Sequence, residues 1–158
     1  MTEQTQVSPE LVGRSICEWM QKAVVGLNLC PFAKWPLERD QVRVFISQAE
    51  DVTALLVDMD KEVQRLDDTD AAELETTLVI VPNFLQSFDA YLDMLDVLEQ
   101  SPWQGEYQIA SFHPDYCFDG AEPEDRENLT NRAPYPIFHL LREDSVERAL
   151  KGLSLIHI

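Results

Sequence analysis

Thr76-Thr77-Leu78-Val79-Ile80-Val81 (TTLVIV) decides the fold class. The run is almost continuously apolar, rich in β-branched residues, and stops at Pro82-Asn83. A strand with one wet face alternates apolar with polar residues; a strand without that alternation is covered on both faces. Such a strand needs layers above and below it, and the flanking sequence supplies helices. Upstream, Asp51 can cap a helix whose apolar stripe is Val52, Leu55, Leu56, Met59, Val63 and Leu66. Downstream, Asn83 can cap another, with Phe84, Phe88, Tyr91, Leu92, Leu95 and Leu98 facing inward.

Three more segments read as strands: VRVFIS at 42–47, residues 107–112, and IFHLLR at 137–142. A first helix starts at Ser8-Pro9, where Ser can cap and Pro suits the first turn. Its stripe is Val12, Ile16, Trp19, Met20, Ala23, Val24 and Leu27, and Pro31 predicts its end near Asn28 or Leu29. The acidic run 67–75 is a solvated connection, and Asp144 caps a last helix through Val146 and Leu150. The order α-β-α-β-α-β-loop-β-α predicts an α/β fold: one layered domain, with a mixed, largely parallel sheet of about four strands flanked by helices. The domain is expected over residues 1–152. Beyond Gly152, LSLIHI (153–158) is an apolar tail that reads as non-native or truncated, so His157 carries no functional weight.

The chain has 158 residues, and its 12 Lys and Arg against 29 Asp and Glu give a formal charge of −17 at pH 7. An apolar fraction of 45% with helical and strand periodicity excludes disorder as a description of the whole chain. No run reaches the ~18 consecutive apolar residues of a membrane span, and MTEQTQVSPE has neither a basic region nor an apolar core. The expectation is a cytoplasmic protein with no membrane partner. A strongly acidic chain without a basic patch also repels phosphate backbones, so no nucleic-acid partner is expected. The three cysteines, Cys17, Cys30 and Cys117, form no CxxC pair, which leaves zinc-ribbon and thioredoxin-type chemistry without support. Asn128-Leu129-Thr130 matches a glycosylation acceptor in form only.

Ligands of open α/β sheets bind beyond the carboxyl ends of the strands. The third strand feeds directly into SFHPDYCFDG (111–120), which opens a connection running over 113–134. Connections beyond about 12–15 residues are usually functional or disordered, and the aromatic residues here argue for order. His113 is the candidate acid/base, and Asp115 its orienting carboxylate. Arg132 offers a guanidinium for a carboxylate or phosphate in an otherwise acidic chain. Tyr116, Asn83 at the end of the second strand, and His139 complete the candidate ligand contacts. Each has a plainer reading as well. His113 can cap the strand end, Arg132 can clamp loop carbonyls, and His139 can be a buried, satisfied imidazole. Cys30 is a buried structural thiol, or a nucleophile if Pro31 opens a turn whose amides favour the thiolate.

LNLCPFAKWP (27–36), ASFHPDYCFDG (110–120) and NRAPYPIFHLLRE (131–143) together resemble a bacterial family catalogued as domain of unknown function 1415. The likeness runs to about Lys151. Its motif positions here are Cys30, Pro31, Phe32, His113, Pro114, Asp115, Tyr116, Phe118, Arg132, Pro134, Pro136 and His139. The resemblance implies a small soluble bacterial protein whose chain runs somewhat further, and it brings no activity or cofactor.

Three functions compete. The first is binding or transformation of a small anionic metabolite by His113, Asp115 and Arg132. The second is a metal site using His113, Asp115 or Cys117, with Cys30 or His139 arriving from elsewhere; no ligand spacing supports it. The third is a non-catalytic module whose acidic surface docks a basic partner. The first is the expectation carried forward.

Overall fold

The computed structural model describes residues 8–21 and 41–148. Cys30, the expected end of the first helix and the 153–158 tail lie outside the described residues. The elements are α1 (Pro9–Trp19), β1 (Val42–Ile46), α2 (Val52–Asp68), β2 (Thr76–Ile80), α3 (Phe88–Glu99), β3 (Tyr107–Phe112), a 3-10 helix (Arg126–Asn131) and β4 (Ile137–Arg142). Residues 143–148 turn straight from β4 into helix.

The four strands form one mixed sheet in the order β1-β2-β4-β3. β1 and β2 are parallel, whereas β4 is antiparallel to both β2 and β3. Alternating helices make strands parallel only where a helix joins them. β3 and β4 are joined by the 113–136 connection, which contains no crossover helix, so β4 returns beside its predecessor. It fills the slot between β2 and β3. One of the three pairings is therefore parallel, a smaller share than the alternation of elements predicts.

Every residue of β2 is buried. Successive side chains alternate between the faces, and each face has its own core. Val79, Val81, Phe138 and Leu140 pack with Leu55, Met59 and Leu66 of α2 and with Tyr91, Met94 and Leu98 of α3. Leu78, Ile80, Phe112 and Ile137 pack with Val12, Ile16 and Met20 on the other face.

Asp51 caps α2 as expected, its Oδ1 accepting from the Ala54 amide at 2.8 Å. The other end of α2 is closed from a distance. Arg142 Nη2 donates to the carbonyls of Leu66, Thr69 and Leu74 at 2.9, 2.9 and 2.8 Å. Three local expectations are corrected. Asn83 does not cap α3; the cap is Ser87, whose Oγ accepts from the Ala90 amide, and Leu85 at φ 67° keeps residues 82–87 out of helical geometry. Ser8 makes no side-chain cap bond, and Asp144 lies inside the last helical turn rather than before it. The inward stripes are also narrower, because Val52 and Leu92 are exposed. No described helix is long and apolar enough to cross a membrane.

Val79 is 0% exposed, so an Asp there places an unpaired charge between two layers. That costs several kcal/mol against a total stability of about 5–15 kcal/mol. Val79→Asp is expected to abolish the cooperative thermal transition in circular dichroism. Val57→Asp, on the exposed side of α2, should change stability by no more than about 0.5–1 kcal/mol. A cooperative melt for Val79→Asp near the wild-type temperature would remove β2 from the centre of the fold.

Candidate functional site

The register brings the carboxyl ends of β1, β2 and β3 to one edge: Ile46 pairs Ile80, Ile80 pairs Ile137, and Phe112 pairs Ile137. His113, Pro82-Asn83 and the start of β4 therefore meet there. Tyr91 of α3 ties the edge together. Its buried hydroxyl donates to the Ile137 carbonyl at 2.6 Å and accepts from the Phe112 amide at 3.1 Å. Burial pushes this phenol far above its ordinary range, so it stays protonated and keeps both bonds.

His113 is fully buried against the rings of Phe88 and Tyr91, at centroid distances of 5.3 and 5.1 Å. Its Nε2 lies 2.9 Å from the Leu85 carbonyl, and its Nδ1 lies 3.0 Å from the Asp115 amide nitrogen. A carbonyl only accepts and an amide N–H only donates. The ring is thereby fixed as the neutral Nε2–H tautomer with both nitrogens engaged. That leaves His113 no free lone pair for acid/base work in this arrangement. Asp115 does orient it, but through its backbone N–H rather than its carboxylate.

Arg132 takes the plainer of its two readings. Nε donates to the Tyr116 carbonyl at 3.1 Å and Nη2 to the Pro123 carbonyl at 2.6 Å. Trp19 Nε1 donates to the Arg132 carbonyl at 3.0 Å, which docks α1 against the same segment. The half-buried Tyr116 ring packs on Phe88 and Phe118 at 5.1 and 4.9 Å.

Two residues overlooked in the sequence hold this connection together. Asn128, fully buried, accepts from the Phe118 amide at 2.9 Å and donates to the Glu122 carbonyl at 2.8 Å. Asn131 donates through Nδ2 to the Ser111 carbonyl at 2.9 Å, while its own carbonyl accepts from the His113 amide. Neither has a local signal. An Asn within a polar loop becomes a hub only once the folded loop brings carbonyls and amides around it.

Asn83 and Leu85 stand apart from these satisfied groups. Asn83 Nδ2 is buried and has no partner among the described residues. Leu85, two positions on, is the one non-glycine residue with positive φ among the described residues. A buried unpaired donor and a strained backbone both cost free energy, and both concentrate where a protein meets a ligand.

His139 is not part of this cluster. It lies within β4 on the α1 face, opposite Leu78 and Ala110, whereas His113 sits beyond the end of β3 against α3. Thr76 Oγ1 donates to the Leu140 carbonyl and accepts from His139 Nε2 at 2.7 Å; His139 Nδ1 is buried with no partner among the described residues. Among the described residues no group of three or more His, Cys, Asp or Glu could hold a metal ion. The Cys117 thiol donates to the Ala121 carbonyl at 3.3 Å.

The fold and this edge define a four-stranded mixed α/β domain whose long connection is fastened over the carboxyl ends of its strands. Residues 12–156 match the family described as protein of unknown function (DUF1415), and the chain belongs to that family. No curated protein and no solved structure matches it.

Burial pushes the His139 imidazole down from 6.5 to about 4. The folded state thus holds it neutral while the unfolded state takes up a proton near pH 6.5. Its stability contribution is complete above pH 6.5 and is lost as pH falls from there to about 4. Wild type should lose about 3 kcal/mol more than His139→Gln over that window, by denaturant titration at each pH. Parallel pH profiles would mean that this ring is protonated equally in both states.

Proposed function

We propose that this protein binds a small anionic metabolite at the carboxyl end of its sheet, between the 82–87 turn and the 113–134 connection, in the cytoplasm of a bacterium. One observation carries the reading: the buried, unpartnered Nδ2 of Asn83 beside the strained Leu85. An unpaired buried donor costs roughly 1–3 kcal/mol, which a ligand carboxylate or phosphate oxygen recovers on binding. The place is the usual one for ligands of open α/β sheets.

The residues divide the work differently from the sequence expectation. Asn83 supplies the open hydrogen-bond donor. His113 is a positioning residue, because its Nε2–H holds the Leu85 carbonyl and so keeps the 82–87 turn in its strained form. Arg132 holds the loop wall and adds positive charge beside it, while Tyr116 packs the wall against α3. With the His113 lone pair already engaged, the described residues support binding more than turnover. No cofactor is assigned, and the net charge of −17 argues against a nucleic-acid ligand.

A thermal-shift panel of small carboxylates and phosphorylated metabolites tests the reading. An anionic hit should raise the wild-type melting temperature and fail to raise that of Asn83→Asp, which loses the donor and adds a repelling charge. Arg132→Ala should bind about 10- to 100-fold more weakly, the range of one lost charge-assisted bond. His113→Ala should lose thermal stability and affinity together. Equal stabilisation of wild type and Asn83→Asp would discard the site. A panel without any hit would favour instead an acidic module that docks a basic partner.

A further inference from the structure

We propose that the opposite end of the sheet carries a second, separate site for a small zwitterion bearing one carboxylate and one ammonium group. A cavity of about 390 Å³ opens there, where β3 begins and β4 ends. Its size falls in the range of small-molecule sites, roughly 300–1,000 Å³. Arg142 and Arg148 line it together with Asp67, Glu106 and Asp144.

Both signs of charge are held in place. Arg142 Nη2 is fixed by three carbonyls around the end of α2, and its Nε is without an acceptor among the described residues. Tyr107, also in the wall, donates its hydroxyl to Asp67 Oδ1 at 2.5 Å. Burial and the neighbouring Asp67 carboxylate push that phenol well above its ordinary range, so it remains a donor and keeps the carboxylate oriented. Asp67 Oδ2 has no hydrogen-bond partner among the described residues, so it is left for a ligand. Arg148, exposed at the rim, donates to Ser145 Oγ at 3.3 Å.

The charge balance selects the ligand class. Three carboxylates surround two guanidiniums. A simple anion placed at the guanidiniums faces net repulsion, and a simple cation placed at the carboxylates faces Arg142. A molecule with both charges meets each with its opposite. α-Amino acids are the smallest common molecules of this kind, and they fit within the volume. The site shares no residue with the Asn83 edge, from which the length of β3 and β4 separates it.

The test is amide chemical-shift mapping on the full chain with L-alanine, L-glutamate and L-lysine, each beside its decarboxylated amine and its deaminated acid. At least one amino acid should move the amides of Gly105, Tyr107 and Ser145 at a concentration ten or more times below that needed by either single-charge counterpart. Arg148→Glu, a surface change, should abolish the shifts while leaving the melting temperature near wild type. Asn83→Asp should leave them unchanged, so failure of the carboxyl-end site does not touch this one. The proposal is overturned by any of three results: no shifts with any amino acid, equal potency for an amine or an acid alone, or undiminished shifts in Arg148→Glu.

Discussion

The slot between β2 and β3 governs the rest of the molecule. These strands run in the same direction one strand apart, and each presents an open ladder of N–H and C=O groups toward the other. Buried backbone groups without partners are too costly to leave, so a fourth strand has to enter. β4 fills the slot only in the antiparallel sense, since the chain must re-enter at the edge where β3 left. That requirement puts the 113–136 connection across the carboxyl ends of three strands. It also carries Arg142, the last residue of β4, to the far edge beside the end of α2. One topological constraint thus shapes both ends of the sheet.

Entry of β4 is secured by side chains. The Tyr91 hydroxyl stands between the Phe112 amide and the Ile137 carbonyl, and completes the rung where the two strands separate into the loop. His113 then joins the beginning of that loop to Leu85, Asn131 to the end of β3, and Asn128 closes the loop on itself. The Tyr91, His113, Asn128 and Asn131 side chains at this edge all meet defined partners, whereas Asn83 Nδ2 is one of five unpaired buried atoms among the described residues, with Thr77 Oγ1, Trp103 Nε1, His139 Nδ1 and Arg142 Nε. What sets the Asn83 donor apart from the other four is its position at the carboxyl ends of the strands, two residues from the positive-φ Leu85.

Much of the fold could be read from the chain because it rests on local patterns. The unbroken apolar run 76–81 gave a strand covered on both faces, and Asp51 sat one residue before a periodic stripe. The start of α3 was harder. Asn83 and Ser87 are both good caps, and only the positive φ of Leu85, a tertiary effect held by His113, decides between them. The clustering of Asn83, His113, Asp115, Tyr116 and Arg132 at one edge was legible from strand ends. Their bonding was not, since whether His113 keeps a lone pair depends on a carbonyl 28 positions away. Asn128 and the distant capping by Arg142 were hidden for the same reason.

Electrostatics give a further reason to look for ligands in confined places. With −17 overall, the chain has few cations, and the structure spends several internally. Arg43 and Arg65 flank the buried Glu62 carboxylate at 2.6 and 3.3 Å. Arg132 binds two backbone carbonyls through Nε and Nη2, a planar fork that the single ammonium of lysine cannot reproduce, and Arg142 binds three through Nη2 alone. Bonding to neutral carbonyls fixes a guanidinium without cancelling its charge, whereas pairing with a carboxylate cancels it. Arg132 and Arg142 therefore remain local sources of positive potential at the two ends of the sheet, while Arg43 and Arg65 do not. In a low-dielectric recess such fixed charges act over short range, and the surrounding acidic surface limits their reach into solvent. The outer field of so acidic a chain repels an anion in solution, so any attraction these two guanidiniums exert is confined to their immediate surroundings.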